Sequence, residues 1–155
     1  SRQTDLNQKE GKEFIDIYFE KYPGILNYLE DIKAKCRETG YVETILGRRR
    51  YFPDVNSSNF RVRSQAERAA INMPIQGTAA DIIKVAMIQI QKKIEETHLN
   101  SKMILQVHDE LIFEVPNNEI EVMESILEQI MPYSISLNVP LGIEMKKGNS
   151  WGTLS

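Results

Sequence analysis

Met103-Ile-Leu-Gln-Val-His-Asp-Glu-Leu-Ile-Phe-Glu-Val115 joins two apolar stretches through a polar tip, and the rest of the chain is read outward from it. Met103, Leu105 and Val107 alternate, as do Leu111, Phe113 and Val115, which is the period-2 pattern of half-buried strands. The pattern predicts a β-hairpin with His108-Asp109-Glu110 at its turn. Tight hairpins favour Asn-Gly or Asp-Gly, which adopt left-handed torsions at little cost. A tip without such a residue, carrying two adjacent acids, points to a functional role.

Upstream, residues 59–96 are rich in Ala, Gln, Glu, Arg and Lys, and Ile75, Ala79, Ile82, Ala86, Ile90 and Ile94 form a helical stripe. Pro74 removes a mid-helix hydrogen bond, so the region is drawn as two helical segments with a kink or restart near Met73-Pro74. Further upstream, Tyr41 to Phe52 reads as a hairpin turning around Gly47-Arg48, followed by the loop Pro53-Asp-Val-Asn-Ser-Ser. Asn7 and Glu10 resemble a capping pair for a helix carrying Phe14, Ile15, Tyr18, Phe19 and Tyr22 up to Pro23. A second helix places Ile25, Leu29, Ile32 and Cys36 on one face and stops at Gly40, giving an antiparallel helical pair.

Downstream, Asn118 with Glu121 reads as a capped start for a helix that runs to Pro132. Val139, Leu141, Ile143 and Met145 alternate as a last strand, at a sheet edge because of Pro140. The class is α+β, with helices packed on a small antiparallel sheet. About three strands are available, few for a platform, so a further strand is expected from elsewhere. No linker or repeat separates the parts, and 155 residues make one domain: a helical pair (1–40), a basic hairpin and loop (41–56), a long helical region (57–97), and a hairpin, helix and last strand (101–155).

No apolar run approaches a membrane span, and the polar start Ser1-Arg-Gln-Thr-Asp-Leu lacks a signal-peptide core, so a cytoplasmic protein without a membrane partner is expected. Cys36 is the one cysteine, which excludes an internal disulfide and a cysteine-based zinc cluster. A net charge of -3 argues against a generally basic nucleic-acid binder. The mean hides an asymmetry. Between Gly47 and Arg68 six arginines face two acids, an excess of +4, whereas Asp109 to Glu144 holds eight acids and no Lys or Arg. Such neighbours could bring phosphates and divalent metals together, although solvated faces look the same.

The Asp109-Glu110 pair suits magnesium, a hard cation that commonly takes one or two carboxylates beside waters and substrate phosphates. Asp109 is the better ligand candidate, and Glu110 leans to the other face as a partial or outer ligand. An exposed polar turn fits the same spacing. Arg68, Asn72 and Gln76 are spaced by four, so an unbroken helix sets three donors on one stripe. Donors there suit the minor groove, where every base pair presents acceptors; a solvated helix face is the alternative. Arg48, Arg49, Arg50, Arg61 and Arg63 could hold phosphate bidentately or simply face solvent. His98 has a surface setting, and His108 differs by abutting Asp109.

Together, Gln106-Val-His-Asp-Glu-Leu-Ile-Phe-Glu-Val115, Gly40-Tyr-Val-Glu-Thr, Gly47-Arg-Arg-Arg-Tyr-Phe-Pro-Asp-Val-Asn-Ser, Ala66 to Ile83 and Val139-Pro-Leu resemble the bacterial DNA polymerases of family A, in order and across essentially the whole chain. The resemblance implies part of a palm and the adjoining fingers, from the C-terminal part of a polymerase domain. It implies that Asp109 is one of two metal-binding aspartates, that Glu110 supports the metal and primer terminus, and that His108 touches the primer end. Arg68, Asn72 and Gln76 would contact the primer-template duplex from the minor-groove side, and Arg63 the template backbone.

The implied activity is DNA-directed DNA synthesis in replication or repair, with two magnesium ions, primer-template DNA and deoxynucleoside triphosphates in the complete enzyme. The family's first palm motif and triphosphate-binding helix match nothing in these 155 residues, so the isolated chain is expected to be inactive. The ending Gly148-Asn-Ser-Trp-Gly departs from the family's Gly-x-Asn-Trp, which leaves the role of Trp151 beyond packing open. A non-catalytic duplex-binding module and a metal nuclease using Asp109 and Glu110 are the rival readings. Oligomeric state is open.

Overall fold

The computed structural model describes residues 7–154. They form four α-helices and two two-stranded antiparallel sheets, so the class is α+β. The chain divides into two compact units, Ser1–Gly77 and Thr78–Ser155.

In the first unit, α1 (Gln8–Lys21) starts with a full capping box: the Asn7 side chain accepts from the N–H groups of Lys9 and Glu10, and Glu10 accepts from the Asn7 N–H at 2.8 Å. Pro23 sits in the first turn of α2 (Pro23–Thr39), where its missing N–H costs nothing. A single residue, Tyr22, links the helices. Phe14, Ile15 and Ile17 of α1 stay exposed, so their face is not buried against α2 as an antiparallel pair would require. Gly40 ends α2 at φ 77°, and its N–H donates to the Cys36 carbonyl, the left-handed cap for which glycine carries no Cβ penalty.

Strands β1 (Tyr41–Glu43) and β2 (Arg49–Tyr51) form the basic hairpin, which turns at Gly47. Its inner face puts Val42 into a core with Cys36, Phe52, Val55, Ala70 and Met73. Arg37 of α2 pairs with Glu67 of α3 (Phe60–Glu96) at 2.6 Å.

Helix α3 is continuous through Pro74, which corrects the expected restart at Met73-Pro74. An interior proline costs roughly 3 kcal/mol, yet the helix is anchored on both sides of it. Ala70 and Met73 are buried in the first core, and Ala86, Ile90 and Ile94 in the second. Tertiary burial overrides the local rule. At the N-terminal end of the expected stripe, Ile75 is 64% exposed.

In the second unit, β3 (Lys102–Val107) and β4 (Glu110–Glu114) form the central hairpin, packed with α4 (Ile120–Ile130) around Ala86, Ile90, Ile94, Met123 and Ile126. The pairing runs Met103↔Phe113 and then Leu105↔Ile112, so Ile104 is an extra residue in β3. A bulge of this kind flips the strand's phase. Met103 lies opposite Phe113, while Leu105 and Val107 fall on the other face with Ile112 and Glu110. The expected single face of Met103, Leu105 and Val107 is therefore split.

Two further expectations are corrected. Asn118 does not cap α4, because a 3-10 turn at Asn117–Glu119 precedes the helix and no side chain caps its start. Residues 139–145 form no strand among the described residues, since no neighbour pairs with them and Pro140 has no N–H to offer. The β3–β4 sheet accordingly has two strands, not three. No described helix is long and apolar enough to cross a membrane.

Candidate active site and nucleic-acid-binding stripe

The central hairpin is as tight as a hairpin can be. Val107 pairs with Glu110, leaving His108 and Asp109 as a two-residue turn. His108 takes φ 53°, whereas Asp109 is not among the positive-φ residues. That order of signs matches a II′-type turn, which usually places glycine first. A side chain there costs about 1–2 kcal/mol, so the turn is built around an imidazole at an energetic cost.

Three features hold the tip in place. The bulge at Ile104 sets the phase in which β3 reaches it. At the tip itself, Gln106 Nε2 donates to the His108 carbonyl at 2.9 Å. At the foot of β3, Glu119 is 6% exposed and its carboxylate accepts from the N–H of Asn100 (3.0 Å) and Ser101 (2.9 Å), the Asn100 amide (3.2 Å) and the Ser101 hydroxyl (2.6 Å). These bonds, led by the Ser101 hydroxyl and the Asn100 N–H, hold the Glu119 carboxyl below the usual glutamate range.

Asp109 and Glu110 are exposed. Their carboxylates have neither a hydrogen bond nor an ion pair among the described residues, so no described side chain is paired with them. Among the described residues there is no group of three or more His, Cys, Asp or Glu that could hold a metal ion. The donor set fits a hard divalent cation that takes two carboxylates and fills its remaining positions from water or phosphate.

On α3, Arg68, Asn72 and Gln76 share one unbroken helix, so their spacing of four sets them on one stripe. All three are exposed and make no side-chain bond among the described residues. Arg63 differs, because its Nη1 donates to the Ser57 carbonyl at 2.7 Å and its guanidinium lies 5.7 Å from the Phe60 ring. It braces the entry to α3 whatever else it does.

The basic hairpin is also partly committed internally. Arg48 Nη2 donates to the Gly77 carbonyl at 2.9 Å, Arg49 meets Glu43 at 3.4 Å, and Arg50 lies over Phe52. Gly77 lets the helix pass close to the hairpin: a Cβ would stand 2.7 Å from the buried Thr44 methyl and 3.2 Å from Arg48 Nη2, so a side chain there would force a shift. Gln106, Glu119 and Gly77 were not apparent as supports from the sequence. The signals were a polar residue two before the tip, an acid ahead of an apolar helix, and a glycine inside a helical run.

The sequence matches the family described as DNA polymerase family A over residues 1–153. The chain is 48% identical over 151 residues to DNA polymerase I of Streptococcus pneumoniae and 46% identical to that of Bacillus subtilis, covering 97% of this chain in each case. It spans 17% of the length of those curated relatives. Among solved structures, it superimposes on the polymerase domain of Pol1 from M. smegmatis, described as a complex with DNA primer-template and dNTP. The TM-score is 0.94 at 44% identity, over 99% of this chain and 27% of that one.

Proposed function

The chain belongs to DNA polymerase family A, and on that premise we propose that it is part of the catalytic and duplex-holding machinery of a template-directed DNA polymerase. The reaction is attack of a primer 3′-hydroxyl on the α-phosphate of a deoxynucleoside triphosphate, with release of pyrophosphate. The observation that carries this reading is the Asp109-Glu110 pair, exposed and with no described side chain paired with it, at a tip whose backbone is held in a costly conformation. Asp109 and Glu110 supply carboxylate oxygens to magnesium, with two ions in the complete enzyme. Bound magnesium would lower the pKa of the attacking hydroxyl and stabilise the leaving oxygens; polymerases are among the standing examples of that chemistry.

The remaining residues position substrate. His108, at the turn, meets the primer end. Arg68, Asn72 and Gln76 offer donors to the acceptors that every base pair presents in the minor groove, gripping the duplex without reading its sequence. Arg63 adds a template-backbone contact with the donors that its bond to Ser57 leaves over.

The isolated 155 residues hold part of one metal site and extend no primer; for them alone, salt-dependent duplex binding is the favoured activity, because no third metal-ligating side chain joins the tip among the described residues. The test incubates the purified chain with primer-template, magnesium and all four triphosphates. Duplex binding that weakens with salt, with no extension, is expected. Extension by the chain alone would contradict the partial site, and magnesium-dependent cleavage would replace the reading with a nuclease.

A further inference from the structure

The outward face of the basic hairpin carries an arrangement that the function above does not use. Tyr41 pairs with Tyr51 and Glu43 with Arg49 in register, so these four side chains share the face opposite the buried Val42. The rings of Tyr41 and Tyr51 lie 5.5 Å apart between centroids, inclined at 56°. The Arg49 guanidinium lies 4.5 Å from the Tyr41 ring, and Glu43 is held between Arg49 and Lys35 at 3.4 and 3.1 Å. Tyr51 is 67% exposed. The face thus ends in an open aromatic ring, backed by a second ring and the Arg49 guanidinium, with Lys35 on the far side of Glu43; Arg50 pairs with Val42 and lies on the other face.

The geometry points to a stacking site for single-stranded nucleic acid on Tyr51, separate from the minor-groove stripe on α3. A centroid spacing of 5.5 Å leaves no slot for a base between the rings, so a base would lie on the outer side of Tyr51. Arg49 braces the ring pair, and Arg49 and Lys35 on either side of Glu43 leave this face a net positive charge for the phosphates. Sequence-independent single-strand sites combine these same two elements, an aromatic platform and a basic track. Within a duplex the base faces are already stacked on each other, so only its terminal pairs could reach the platform, whereas every base of an unpaired strand can. The ligand is therefore an unpaired strand, such as template not yet copied; this rests on the reading that the chain serves a polynucleotide substrate.

A cross-strand tyrosine pair could serve only to stabilise a short hairpin, and the experiment separates the two roles. Binding of the chain to a labelled oligothymidylate and to a blunt duplex of equal length is measured by anisotropy for wild type, Tyr51→Phe and Tyr51→Val. Loss of about tenfold in oligothymidylate affinity is expected for Tyr51→Val, with duplex affinity unchanged and Tyr51→Phe close to wild type. Photo-crosslinking from an iododeoxyuridine oligonucleotide is expected at Tyr51. Unchanged oligothymidylate binding by Tyr51→Val overturns the site, as does an equal loss on both ligands with a lowered melting temperature, or crosslinking confined to other residues. Wild-type binding to duplex alone also overturns it while the polymerase reading stands, and binding to neither ligand sinks both.

Discussion

His108 holds a backbone position that glycine would occupy more cheaply, so its side chain is retained at a tip where folding alone does not ask for it. His108→Gly should leave stability within about 1 kcal/mol of wild type, since relief of the positive φ offsets the greater freedom of unfolded glycine. Primer extension by a complete polymerase carrying the change should fall. Urea unfolding checks the first half, and a large loss of stability would show that the imidazole has a packing role instead. At Gly77 the balance differs. Alanine gains up to about 1 kcal/mol of helix propensity, but its Cβ would lie 2.7 Å from the methyl of buried Thr44, whose hydroxyl accepts from the Arg48 N–H. Gly77→Ala should destabilise the chain by about 1 kcal/mol net, and adding Thr44→Ser, which removes that methyl and keeps the hydroxyl, should restore it. Failure of the double variant to recover would place the conflict elsewhere.

At the level of elements, the hairpin that carries the acids is tied at its foot by Glu119. Its carboxyl is more acidic in the fold than the ordinary value of 4.5 because it accepts from Ser101 and Asn100. The stabilisation is therefore complete above that value and is lost as pH falls through the lowered one. Unfolding midpoints measured from pH 7 down to pH 3 should drop more steeply for wild type than for Glu119→Gln, which should be weaker at neutral pH because an amide cannot serve all four donors. Parallel pH profiles would contradict the assignment. Elements were also where local patterns and tertiary structure parted. The capping box at Asn7, the stop at Gly40 and both hairpins were legible because each depends on residues within a few positions of one another. The bulge at Ile104 was not, since Met-Ile-Leu offers three apolar residues in a row and no mark of where the phase changes. Pro74 obeyed burial on both sides of it, and residues 139–145 had alternation without a pairing strand among the described residues.

For the whole chain, residue type and spacing placed Asp109 at a hairpin tip and Arg68, Asn72 and Gln76 on one helical stripe, and the structure adds what holds these positions: Gln106 and Glu119 for the tip, and an unbroken α3 for the stripe. The arginine cluster was less legible, because sequence cannot tell a guanidinium bound to the Gly77 carbonyl from one facing solvent. The relatives are far longer, this chain spanning 17% of their length. Gln76→Ala in the complete polymerase should weaken primer-template engagement and extension from mismatched ends without changing the magnesium requirement, as steady-state extension on matched and mismatched primers would report. The most direct measurement is single-turnover nucleotide addition by that polymerase, titrated with magnesium, for wild type and Asp109→Asn. A fall of roughly a thousandfold at saturating magnesium is predicted, the rate equivalent of several kcal/mol of lost charge stabilisation; a rate near wild type would contradict the metal-holding role of the tip.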